Sequence, residues 1–118
     1  MIQGKVIEIG EQAVDAGDQM IILFGESATP ELKKVSVIQT IDKSKGPIKL
    51  GLGGHLSFDE QRYTMTHLGR LAESQLNEIG HVTVIFSEVP SEDALVNAIY
   101  VEPFILPEIK TGTIIKYN

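Results

Sequence analysis

The stretch RLAESQLNEIGHVTVIF, residues 70–86, decides how the chain is read. Leu71, Leu76 and Ile79 recur near one face of a 3.6-residue period, while Glu73, Gln75, Asn77 and Glu78 fall mostly elsewhere, which predicts an amphipathic helix over about residues 70–79. Gly80 stands where a helix stops on a residue able to take positive φ. His81 follows, and Val82-Thr83-Val84-Ile85-Phe86 is β-branched or aromatic throughout, which predicts a strand. Helix, stop, histidine and strand occupy one short corner.

Working outward, residues 1–9 alternate, with Ile2, Val6, Ile7 and Ile9 set among Gln3, Lys5 and Glu8, and read as a strand. Residues 10–18 form a polar loop, and Met20 to Phe24 is a continuous apolar run expected to be buried on both faces or nearly so. Pro30 to Lys33 predicts one helical turn with Thr29 as its cap. Residues 35–41 alternate with Val35, Val37, Gln39 and Ile41 on one side. Asp42 to Gly46 is a turn, and Ile48 and Leu50 begin a short strand that Gly51, Gly53 and Gly54 interrupt. Residues 56–58 and 62–68 predict a hairpin around Asp59-Glu60-Gln61, with Tyr63, Met65 and His67 on one face. After a turn at residues 90–93 come strands at 98–101 and 113–117. The fold class expected is mainly β, a small barrel or sandwich of about eight short strands with one helix.

Composition narrows the function. The chain has 118 residues, 42% of them hydrophobic, which suits one domain with a packed core. Its formal charge of −6 argues against nucleic acid or an anionic membrane as main partner, because both need clustered Lys and Arg, and it is compatible with a basic protein partner. Without cysteine there are no disulfides, thiolate nucleophiles or cysteine zinc sites. The N-terminus reads as a strand and not as a signal peptide, and no apolar run approaches spanning length, so a cytoplasmic location without membrane insertion is expected.

Familiar catalytic motifs fail one by one. Gly51-Leu52-Gly53-Gly54 precedes a strand pattern and lacks the GK[ST] ending of a phosphate loop, so it reads as a turn. Asp59-Glu60 and Ser91-Glu92-Asp93 read as solvated turn carboxylates. His55, His67 and His81 are too widely spaced to form a local metal signature. They remain the only candidate nucleophiles or acid/base groups, since a neutral imidazole carries a lone pair that can attack phosphorus. His67 reads as a packed strand residue and His55 as a turn residue.

His81 has two readings. Structurally, it packs just past a helix stop, where the partial negative charge of the helix end favours imidazolium and repels a phosphoryl dianion. Functionally, Gly80 leaves the ring approachable, and Thr83, two residues along the strand, projects to the same side, where its hydroxyl could fix a ring nitrogen or donate to phosphoryl oxygens. Physics alone favours the first.

Several segments together resemble a known family. They are Gln19 to Phe24, Pro30-Glu31-Leu32, Lys45-Gly46, Gly69 to Glu73, Leu76 to Thr83 with its Asn77-Glu78-Ile79-Gly80-His81 run, and Gly112 to Tyr117. In this order and spacing they resemble the enzyme IIA component of the glucitol/sorbitol branch of the bacterial phosphotransferase system, nearly end to end. The resemblance implies a cytoplasmic phosphoryl carrier that takes a phosphoryl group from the phosphocarrier protein HPr onto a histidine. It then passes the group to the IIB component of the sorbitol permease by in-line transfer, with no metal or organic cofactor needed. A basic docking face on the donor would suit the negative charge.

One departure bears on the site. In some members of that family a histidine in the strand before the Lys-Gly turn is the phosphorylated one, and Gln39 stands at the matching position here, with Ile41 two residues on. A glutamine amide is not a phosphoryl nucleophile. Either another histidine is the acceptor, with His81 the leading choice and Thr83 in support, or the chain is a non-catalytic binding or regulatory protein on the same scaffold.

Overall fold

The computed structural model describes residues 2–15 and 17–118. Met1, included in the first strand of the sequence reading, and Ala16, in the loop at 10–18, lie outside the described residues. Eight strands form a closed barrel: β1 (Ile2–Ile9), β2 (Met20–Phe24), β3 (Val37–Ile41), β4 (His55–Phe58), β5 (Gln61–Leu68), β6 (Val82–Ile85), β7 (Ala98–Glu102) and β8 (Ile114–Tyr117). Around the barrel they run β1-β3-β2-β6-β7-β5-β4-β8, and β8 pairs with β1 to close the ring. The pairs β2–β3 and β6–β7 are parallel and the others antiparallel. A parallel neighbour requires a long connection. Helix α1 (Pro30–Lys34) lies within the first, and Thr29 caps it by accepting from the Leu32 N–H at 3.3 Å. The expected helical turn is thus present, one residue longer.

Alternation fills the interior. Ile2 and Val6 on β1, Ile21 and Leu23 on β2, Val37 on β3, Leu56 and Phe58 on β4, and Tyr63 and Met65 on β5 join one buried cluster with Val82, Val84, Ile99, Val101, Ile115 and Tyr117. The run at β2 is less enclosed than its sequence predicts, because the outward Met20 is 39% exposed. Helix α2 (Ala72–Ile79) joins β5 to β6 and sets Ala72 and Leu76 into the core at the end of the barrel where β6 begins. Its buried stripe is therefore the pair spaced i, i+4, and Ile79 stays 41% exposed.

Two expectations change. The strand expected at Ile48 and Leu50 is not a strand. The Asn77 side chain accepts from the Ile48 N–H at 2.7 Å and donates to the Ile48 carbonyl at 2.8 Å, while Glu73 accepts from the Leu50 N–H at 2.7 Å. Side chains of α2 satisfy the backbone groups that a neighbouring strand would have taken. His67 also does not share a face with Met65. The β5–β7 register passes from Met65↔Val101 to His67↔Tyr100, so Thr66 is an extra residue, and the bulge turns His67 outward. Its ring meets Tyr100 edge-on at 5.6 Å, in the separate cluster of Ile85, Ala98 and Tyr100.

The Asn77 bridge makes a test. Asn77→Ala leaves two partly buried backbone groups of Ile48 unpaired and should cost about 1–3 kcal/mol. Asn77→Asp keeps the acceptor but not the donor and should fall between. Urea unfolding of the three proteins measures this, and equal midpoints would remove the bridge from the account.

Candidate functional site

The topology brings all three histidines to one end of the barrel but onto different walls. His55 opens β4, and its Nδ1 accepts from the Arg62 guanidinium at 3.0 Å. His67 lies near the end of β5 on Tyr100. His81 stands just before β6. Among the described residues no three His, Asp or Glu side chains converge as metal ligands would. A concavity of about 640 Å³ lined by Glu11, Asp15, Asp18, Met20 and Ile22 is bordered by none of the histidines.

The corner around His81 is held by several backbone bonds and a close approach of two glycines. Gly80 ends α2 at φ 68° and ψ 19°, and its N–H closes onto the Leu76 carbonyl at 3.0 Å, the left-handed stop expected from the sequence. The His81 N–H reaches the Gln75 carbonyl at 3.3 Å. Gly25, just past β2, presses on this turn from the other side and donates its N–H to the Ile79 carbonyl at 2.9 Å. A Cβ on Gly25 would lie 2.5 Å from that carbonyl oxygen, and one on Gly80 would lie 2.9 Å from the Gly25 Cα. Only two glycines allow this approach.

The half-buried His81 ring stacks on Phe24, with centroids 4.4 Å apart and planes at 25°. Its Nδ1 lies 3.2 Å from the Leu23 carbonyl oxygen. A carbonyl only accepts, so Nδ1 carries the proton, and the lone pair of the neutral ring sits on Nε2. Thr83 takes no part in this anchor. It is buried on β6, paired with Ile22 and Ala98, and the ring nitrogen that is bonded finds Leu23 instead.

The electrostatic objection to this corner weakens once the carbonyls of α2 are followed. Gln75 and Leu76 accept from the turn itself, Ile79 from Gly25, and Asn77 from the Lys43 ammonium at 3.0 Å. A cation at the last turn offsets the partial negative charge that would repel a phosphoryl group.

The last carbonyl, that of Gly80, points to Gln39. This residue is 1% exposed on β3, its Nε2 donates to the Gly80 oxygen at 3.2 Å, and its Oε1 accepts from the Tyr117 hydroxyl at 2.6 Å. Gly4 on β1 leaves room for it, since a Cβ there would collide with Oε1. Sequence alternation places Gln39 on the inward side with Val37, but nothing in the sequence names Gly80 or Tyr117 as its partners.

Full burial raises the Tyr117 pKa far above its ordinary 10.0, an effect only partly offset by the bond to Gln39. The folded state therefore holds the neutral phenol, and the stability this contributes is fully present below pH 10.0 and lost as pH rises beyond it. Tyr117→Phe should be less stable than wild type at neutral pH yet lose less on going from pH 9 to 11. Parallel slopes of unfolding free energy against pH would contradict the burial argument.

Residues 1–116 match the family described as PTS system glucitol/sorbitol-specific IIA component. Over 117 residues the chain is 33% identical to the PTS system glucitol/sorbitol-specific EIIA component of Escherichia coli K12, covering 98% of this chain and 93% of that protein. The protein of that description from Shigella flexneri aligns at 33% identity over 117 residues. The crystal structure of a PTS system IIA component from Enterococcus faecalis V583 superposes with a TM-score of 0.92 at 43% identity, covering 98% of each chain. With the family match over residues 1–116 and 33% identity to a relative across nearly the whole chain, the protein belongs to the glucitol/sorbitol-specific IIA component family of the phosphotransferase system.

Proposed function

We propose that residues 1–118 act as one cytoplasmic IIA domain, a phosphoryl carrier between HPr and the IIB component of a sorbitol permease. The observation that carries this reading is the anchored ring of His81, whose Nδ1–H is tied to the Leu23 carbonyl and whose Nε2 holds the lone pair. No described helix is long and apolar enough to cross a membrane.

In the proposed step the Nε2 lone pair attacks phosphorus in line as the P–N bond of phospho-HPr breaks, and the donor imidazole leaves with the bonding pair. His81 keeps its Nδ1 proton, so its phosphorylated ring carries positive charge. That charge strengthens the bond to the Leu23 carbonyl and is favoured over the Phe24 face. Transfer to IIB reverses the step, with catalysis by positioning and electrostatics. The Thr83 hydroxyl is assigned to donation toward phosphoryl oxygens, not to the ring.

A second reading, a non-catalytic binding or regulatory protein on the same scaffold, is favoured by one observation. Gln39, at the position where the family resemblance leads to the expectation of a phosphorylated histidine, is buried with both ends of its amide bonded.

Incubation with phosphoenolpyruvate, enzyme I and HPr separates the two. The carrier reading expects one acid-labile phosphoryl group per chain, absent in His81→Ala, with Thr83→Val labelled about tenfold more slowly. Label persisting in His81→Ala moves the acceptor to His55 or His67. No label on wild type, beside a labelled control IIA, leaves the binding reading.

A further inference from the structure

We propose that Gln39 is a positioning residue for His81: its amide, clamped by Tyr117, holds the Gly80–His81 peptide so that the ring presents Nε2 outward. The proposal rests on the reading of His81 as phosphoryl acceptor. It assigns a task in the reaction to a residue that cannot itself carry phosphate.

The orientation of the amide follows from its partners. The Gly80 carbonyl can only accept, so Nε2 faces it, and Oε1 is left to face Tyr117. Tyr117 must then donate, and its burial keeps the phenol protonated to do so. The chain of bonds runs in one direction, from the end of β8 through the middle of β3 to the carbonyl of Gly80, the residue that caps α2. Every link is buried: Tyr117 is 3% exposed, Gln39 1%, and Gly80 is closed off from solvent. No water competes for these bonds, so the amide has one arrangement that satisfies both neighbours.

The Gly80 carbonyl belongs to the peptide whose N–H is that of His81. If its acceptor lost the donor, a buried carbonyl would be unpaired, and rotating that peptide is the local way to relieve it. Rotation would break the His81 N–H bond to Gln75 and swing the ring off Phe24 and the Leu23 carbonyl. The proton would no longer be pinned to Nδ1. Gly80 has the backbone freedom to rotate, which is why something else must hold it. Gly25 holds the preceding carbonyl, and Gln39 holds this one.

The test uses full-length Gln39→Leu, Gln39→Glu and Tyr117→Phe at a temperature where each is folded by circular dichroism. Two readouts are taken: the ring ¹⁵N and proton resonances of His81, and the rate of phosphoryl transfer from phospho-HPr. Gln39→Leu should lose the Nδ1–H preference and transfer at least tenfold more slowly, and Tyr117→Phe should fall between it and wild type. Gln39→Glu supplies donor and acceptor when protonated but no donor when ionised. Its rate relative to wild type should therefore approach one at low pH and fall as the carboxyl ionises, a profile that a purely structural role would not produce. Should Gln39→Leu fail to fold, that pH profile and Tyr117→Phe decide the matter. Folded variants with wild-type ring resonances and rates would overturn the proposal while leaving the carrier reading intact. Displaced ring resonances in a protein that HPr does not label would show that Gln39 holds the ring but overturn its task in the reaction, together with the carrier reading.

Discussion

Everything at the histidine end of the barrel depends on the contact between Gly25 and Gly80. A helix that enters a closed barrel from above must stop abruptly if the next strand is to join the wall. Gly80 makes the stop by going left-handed, and Gly25 lets the end of β2 come close enough for its N–H to take the Ile79 carbonyl. From that contact follow the starting point of β6, the stacking of His81 on Phe24, and the seating of Leu76 in the core. Two residues without side chains therefore set the position of the His81 ring.

Around this contact the structure satisfies its backbone in an economical way. The carbonyls of Gln75, Leu76, Asn77, Ile79 and Gly80 each have a named donor, two of them side chains from the β3 side of the barrel, Lys43 and Gln39. Farther along α2, Asn77 and Glu73 reach outward and take the backbone of residues 48–50. The helix is short and has no side-chain cap at its N-terminus, so these tertiary bonds, with the burial of Ala72 and Leu76, hold it in place. The same bonds tie the loop after β3 to the corner where His81 sits.

Gln39 joins the interior to this corner. Its amide donates through Nε2 to the Gly80 carbonyl and accepts through Oε1 from the Tyr117 hydroxyl, one bond of each kind at the end of a short arm. A neutral imidazole also offers an N–H donor and an acceptor nitrogen, though one donor fewer than the amide, so a histidine could serve as a bridge of the same polarity between a phenol and a carbonyl. The presence of glutamine at this position is then compatible with retention of the bridge, whatever becomes of the phosphoryl chemistry.

Local chemistry alone determined much of the architecture. Alternation marks β1, the β4–β5 hairpin and β8, the apolar run marks β2, and Gly80 marks the end of α2, because each signal depends on neighbours a few residues away. The family relationship, too, is carried by ordered segments of the sequence itself. Tertiary structure decided what depends on partners distant in sequence. Closure of the barrel brings β8 to β1, and residues 48–50 bond to helix side chains and so never become a strand. A bulge at Thr66 reverses the face of His67 in a pattern whose alternation looks unbroken. The proton on His81 Nδ1 is set by a carbonyl 58 residues earlier, and Gln39 meets Tyr117 across 78 residues. No period in a sequence encodes such pairings, because they exist only once the barrel has closed.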